Sequence, residues 1–207
     1  MRTRRQTFTS GFTLVELIVV MAVLGILLSL LLPQLSKVND RAKRVQCSSN
    51  LRELVMAFGQ VAKDTEFYPD RDKWLQGLSG KGIQSGQLYR YLGEKKVYAC
   101  PSDIELRDAG PGGTRLTSYS YNTWFSERNA NQQPDMSMAV VFVEALLDKA
   151  GAFRPAFDPE NPVSLTDRHS KGGMLAFGDG HVDYMAQQSF QKNVKDILRL
   201  TPTRNSK

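Results

Sequence analysis

Cysteine and histidine are scarce in this chain: Cys47, Cys100, His169 and His181 are the only ones among 207 residues. No CxxC pair and no Cys/His cluster occurs along the sequence, which argues against a zinc-finger type of structural site. No serine or cysteine stands in a recognisable nucleophile elbow, which removes the commonest route to covalent catalysis. Internal repeats and low-complexity blocks are absent as well, excluding a repeat architecture. Charge of one sign is in only modest excess. The net charge is +6, and Arg2, Arg4 and Arg5 supply half of it before residue 12. An ordinary solvated surface accounts for the remainder, so nucleic acid is not the default partner. Arg90, Lys95 and Lys96, beside Tyr89 and Tyr91, are the nearest approach to a basic, aromatic cluster.

What the chain does have is one long apolar run. Phe12 to Leu32 carries a single ionisable side chain, Glu16. As a helix the run would extend about 31 Å at ~1.5 Å per residue, enough to cross a hydrocarbon core. A removable secretory signal has a shorter apolar region followed by small residues at its cleavage site; this run ends instead in Leu-Leu-Leu-Pro-Gln. It reads as a retained segment. Basic residues flank it on both sides, so charge asymmetry alone does not orient it. An acid within such a run is unfavourable by roughly 2.5–3.5 kcal/mol at mid-bilayer and less near an end, so Glu16 demands a reason. The bland one is an acid snorkelling near a helix end.

Beyond Pro33 the apolar positions keep helical spacing through Leu35, Val38, Ala42, Val45, Leu51, Leu54, Val55, Phe58 and Val61. This predicts one helix over 12–63, kinked near Pro33, its second half laying an amphipathic stripe on a head domain. Cys47 shares the inward face with Leu51, which brings a bridge to Cys100 within reach. Such a disulfide would contribute up to ~4 kcal/mol; the alternative is two unrelated buried thiols. From Asp64 onward Gly, Pro, Asp and Asn become frequent and the helical period ends. Strands are expected at 96–99, 117–121, 138–143, 173–177 and 181–185. Asp179-Gly180 between the last two signals a hairpin turn in which both positions tolerate positive φ. Residues 104–115 and 150–166 read as loops, and 188–200 as a short closing helix. The fold class is therefore α+β, a long helix on a small antiparallel sheet. Its parts are a basic leader (1–11), a membrane or assembly helix (12–33), an amphipathic continuation (34–63) and a globular head (64–207).

His169, Asp179 and His181 are the candidates for chemistry in the head, since two imidazoles and a carboxylate can hold a metal and a His near an Asp can act as a base. Their spacing fits no helical metal motif, and a hairpin turn explains Asp179 without any function. The reading is a protein without catalytic residues; the alternative is a membrane-anchored module that binds a metal or other ligand through these three.

Two resemblances sharpen this. The basic leader, Gly11, Phe12, Glu16 and the apolar run ending at Pro33 resemble the amino-terminal signal of type IV pilins and type II secretion pseudopilins. The resemblance implies a pilin-like fold. It also implies cleavage by a prepilin peptidase between Gly11 and Phe12, N-methylation of Phe12, and a single-pass subunit in the cytoplasmic membrane with its head outside. Subunits would assemble into a filament with copies of themselves or related pilins. Glu16 would then pair with the Phe12 amine of a neighbour, which sets register more than it adds stability. Major pseudopilins of type II secretion often hold calcium in a carboxy-terminal loop. No stretch here matches that site, and only Asp158, Glu160 and Asp167 offer acids for it.

The second resemblance spans nearly the whole chain. Cys47 with Asn50-Leu51, Tyr68-Pro69, Cys100-Pro101-Ser102-Asp103, Ser118-Tyr119 with Tyr121-Asn122, and His169 nine intervening residues before Asp179-Gly180 are similar, in that order, to a large group of bacterial pilin-like proteins. That group is known mostly as domains of unknown function, so the likeness implies architecture rather than biology.

Overall fold

A computed structural model describes residues 13–76, 82–103, 116–131, 135–146, 156–157 and 164–199. Helix α1 runs Leu14–Thr65 and is helical through Pro33. The chain divides into two compact units, one ending at Arg41 and one beginning at Ala42.

The described part of the first unit is helical from Leu14, and its apolar side chains are exposed. Leu14–Leu32 has a mean hydropathy of 2.9, and none of that window is buried within the chain.

In the second unit, α1 contributes Cys47, Leu51, Leu54, Val55, Phe58, Val61 and Ala62 to the core. The inward stripe expected from residue 35 thus begins only at Cys47. Leu35, Val38 and Val45 are exposed, because helical spacing marks an apolar face without saying what covers it. The sheet has the order β3-β1-β2-β4-β5, with β1 Tyr119–Asn122, β2 Val140–Glu144, β3 Ala156–Phe157, β4 Gly172–Phe177 and β5 Val182–Ala186. The pairs β1–β2, β2–β4 and β4–β5 are antiparallel, and β3 adds a short parallel edge to β1. Short helical turns at Ile83–Ser85, α2 (Tyr89–Leu92) and Lys95–Tyr98 lie between α1 and the sheet, another at Thr123–Phe125 follows β1, and α3 (Gln187–Arg199) follows β5.

One expected strand is corrected. Lys95–Tyr98 is a 3-10 turn that buries both Val97 and Tyr98. The Tyr98 carbonyl accepts from the Ser118 amide and from the Thr117 hydroxyl, a point attachment to the entry of β1 rather than a ladder.

Alternation along β4 divides the core. Met174 and Ala176 join the larger cluster with α1, whereas Leu175 faces Val143, Leu165 and Phe190 of α3 on the other side. At the centre of the larger cluster Phe58 stacks on Tyr68 (4.8 Å between centroids) and meets Phe125 edge-on (5.4 Å), geometries that suit the quadrupoles of aromatic rings.

The β4–β5 hairpin forms as expected, with a different turn. The Gly180 amide donates to the Phe177 carbonyl, and only Gly180 takes positive φ (96°). This is a three-residue loop in which a left-handed glycine follows an ordinary turn. Asp179 needs no unusual backbone; Gly180 carries that requirement.

Candidate functional site

Gly11 and Phe12, the expected cleavage pair, lie outside the described residues. Directly after them the helix opens on a reciprocal cap. Thr13 donates from both its amide (2.8 Å) and its hydroxyl (2.7 Å) to Glu16 Oε2, and the Glu16 amide reaches back to Thr13 Oγ1 (3.3 Å). This is a capping box of Thr-x-x-Glu form. In a single chain, then, Glu16 satisfies orphan donors of its own helix. The three-residue spacing from Thr13 to Glu16 stands in the sequence as a second signal beside the membrane run. Pro33, at the far end of the apolar segment, lies within α1.

In the head, four side chains from distant segments converge. Cys47 on α1, Cys100 after the Lys95–Tyr98 turn, Glu144 at the end of β2 and His169 before β4 are all buried, and their potential ligand atoms lie within 4.8 Å of one another. His169 Nε2 is 3.4 Å from Cys100 Sγ and 3.1 Å from Glu144 Oε1. Burial pushes the pKa of His169 down, but its hydrogen bonds to Cys100 and Glu144 outweigh that and hold it at about 9. The hydrogen bond to Cys47, together with burial, pushes the Cys100 thiol up. Both cysteines are buried free thiols in this structure.

A polar shell surrounds this quartet. Ser118 Oγ accepts from the Cys100 amide (2.9 Å) and donates to Asp103 Oδ2 (2.7 Å). Asp103 also pairs with Arg168 Nη2 at 3.2 Å, and Arg168 Nη1 donates to the Ala145 carbonyl. Asn50 Nδ2 donates to the Ala99 carbonyl (2.9 Å) and to the Tyr119 hydroxyl (3.4 Å), tying α1 to the segment it packs on. Further out, Tyr121 donates to the Pro69 carbonyl, and Asn122 bridges the Val140 carbonyl and the Trp124 amide. The scattered residues of the second resemblance are thus largely one buried network.

His169 is held in place by a tight, hydrogen-bonded turn. Its amide and carbonyl exchange hydrogen bonds with Gly172 across Ser170 and Lys171, both at positive φ (52° and 69°). Two successive left-handed non-glycine residues are unfavourable, and nothing in Ser-Lys signals such a turn.

The structure does not gather His169, Asp179 and His181 into one site. His169 is buried with Cys100 and Glu144, whereas Asp179 and His181 are partly exposed and pair with each other at 2.6 Å. The amide and ring of His181 hold the Asp179 carboxyl below its usual range, and the His181 ring stacks on Phe177 (4.0 Å). That pair stabilises the turn. Of the acids considered for calcium, Asp158 and Glu160 lie outside the described residues and Asp167 is exposed. In the basic cluster, Lys96 pairs with Glu94 and the Arg90 guanidinium lies over Tyr91. Glu144 escaped sequence reading altogether; the available signal was a lone acid closing the apolar strand Val-Val-Phe-Val-Glu.

Comparison with known proteins returns to the amino terminus. Residues 9–32 match the prokaryotic N-terminal methylation motif. Type II secretion system core protein G of Pectobacterium carotovorum is 30% identical over 130 residues, 55% of this chain and 83% of that protein. Its counterpart in Klebsiella michiganensis is 38% identical over 100 residues, 48% of this chain and 70% of that protein. Type IV major pilin protein PilA of Myxococcus xanthus is 31% identical over 101 residues, 48% of this chain but only 41% of the pilin. No solved structure matches the chain.

Proposed function

Since the chain belongs to the type IV pilin and type II secretion pseudopilin family, we propose that it is a structural, non-catalytic subunit that works by assembly in a membrane. A prepilin peptidase cuts between Gly11 and Phe12 and methylates the Phe12 amine. Leu14–Leu32 then holds the subunit in the cytoplasmic membrane with the head outside, and copies or related pilins stack through the same segment into a filament of a type II secretion or type IV pilus system.

The observation that carries this reading is the helix segment Leu14–Leu32, which has Glu16 as its single ionisable side chain and no residue buried by its own chain. Water would leave that surface costly at roughly 25 cal/mol per Å²; lipid or neighbouring helices remove the cost. Glu16 fits the same scheme. Its carboxylate caps its own helix in the free subunit, and the positive Phe12 amine of a neighbour offers it a charged partner in a bundle. A buried carboxylate with such a partner fixes which helices meet and in what register.

The test is co-expression with a matching prepilin peptidase. The mature amino terminus should begin at Phe12 and carry a methyl group by intact-mass measurement, and Gly11→Val should leave the uncut chain. An unchanged product size in that variant would remove cleavage at this site.

A further inference from the structure

We propose that Cys47, Cys100, Glu144 and His169 form a closed, tetrahedral site for one thiolate-seeking divalent metal ion, zinc in the first instance. The site lies wholly in the second unit and is independent of the assembly reading above.

The donor set is the first argument. Two sulfurs, one imidazole nitrogen and one carboxylate oxygen, all buried, lie within 4.8 Å of one another. Zinc takes Cys at about 2.3 Å, His at about 2.0–2.1 Å and a carboxylate at about 2.0–2.2 Å in a tetrahedron, which places neighbouring ligand atoms roughly 3.3–3.8 Å apart. The separations of 3.4 Å from sulfur to Nε2 and 3.1 Å from Nε2 to Oε1 already fall close to that range. Two thiolates and a carboxylate around a divalent ion leave one net negative charge, the same as in the familiar Cys3His sites.

The surroundings are the second argument. Metal ligands are normally oriented by hydrogen bonds from the next layer. The Ser102 amide donates to Cys100 Sγ (3.4 Å), and the Ser118 hydroxyl fixes the Cys100 amide. The Met174 amide binds Glu144 Oε2 (3.2 Å), which turns Oε1 toward His169. The strained turn at Ser170-Lys171 holds His169 in position. A cleft of about 470 Å³ bounded by Gln46, Asn50, Lys96, Cys100 and Asp103 gives an ion a route to the Cys100 side.

The third argument weighs the rival. A disulfide between Cys47 and Cys100 would use half of the cluster and leave an imidazole and a carboxylate buried beside neutral sulfur. One ion uses all four groups. The linear sequence hides this site because its ligands come from four separate segments, with no two in a short motif.

The experiment uses untagged full-length protein purified in detergent without chelator. Elemental analysis should find stoichiometric zinc, and exchange for Co²⁺ should produce thiolate-to-cobalt charge transfer with the visible bands of tetrahedral cobalt. Cys100→Ser and His169→Ala should lose the ion, while Asp179→Asn combined with His181→Ala should retain it. Should the ligand variants fail to fold, the cobalt spectrum of the wild-type chain still decides. Reduced protein that takes up no zinc on reconstitution, a cobalt spectrum without thiolate charge transfer, or protein isolated without reductant whose mass shows Cys47 joined to Cys100 would each overturn the proposal.

Discussion

The two units treat polar groups in apolar surroundings in opposite ways. In Leu14–Leu32 a single acid stands in a run of exposed apolar side chains and reaches only its own helix terminus, through Thr13. In the head, Asn50, Asp103, Ser118, Glu144, Arg168 and His169 are buried or nearly so, and each finds partners contributed by other segments of the same chain. Among the described residues of the head, the Tyr98 hydroxyl is the one buried side-chain polar atom left without a partner, so these groups are answered within the fold. The apolar segment is complete only when something outside the chain covers it. The contrast teaches that an acid answered only by its own helix terminus keeps a charge without a counter-ion, whereas the head's buried polar groups are answered by distant segments.

The comparison breaks most visibly at Glu16. Gln also serves at the third helical position of a capping box, so Glu16→Gln keeps the helix cap and removes the charge. Filaments sheared from cells should be lost while the amount of membrane-inserted subunit stays unchanged. Undiminished filament yield would reduce Glu16 to a helix cap.

The head should respond in stability instead. Arg168→Ala removes both the guanidinium paired with buried Asp103 at 3.2 Å and its bond to the Ala145 carbonyl, and losing such charge-assisted bonds should cost about 1.5–3 kcal/mol, read by urea denaturation of the detergent-solubilised chain. Asn50→Ala removes the link from α1 to the Ala99 carbonyl and should cost about 1–3 kcal/mol by the same measurement. The smallest effect has the opposite sign. Lys171→Gly relieves a left-handed residue worth about 1–2 kcal/mol but gives back roughly 0.5–1 in unfolded-chain freedom, so the net gain should lie between about 0 and 1.5 kcal/mol. A loss there would mean that the Lys171 side chain, and not its backbone, matters to the turn.

Legibility in the sequence followed the range of the interactions. The apolar run, the helix from Leu14, the β4–β5 hairpin and the closing helix rest on spacings within a few turns or residues, and each appeared close to where expected. Lys95–Tyr98 was misjudged because a short buried apolar stretch has no period of its own. The left-handed pair Ser170-Lys171 carries no glycine or asparagine to announce it. Nearness in sequence points His169 to Asp179 and His181, whereas its partner Cys100 is 69 residues away. Glu144 drew no notice as a single letter at a strand end.

By itself, then, the order of residues determined that one end of this chain is a self-capped apolar helix seeking cover and that the rest is an α+β head, since hydrophobic period and turn chemistry are local properties. Only the tertiary structure decided which polar residues meet. The quartet of Cys47, Cys100, Glu144 and His169 exists because α1, the sheet and a strained turn bring separate segments together, and local spacing carries no information about contacts of that range.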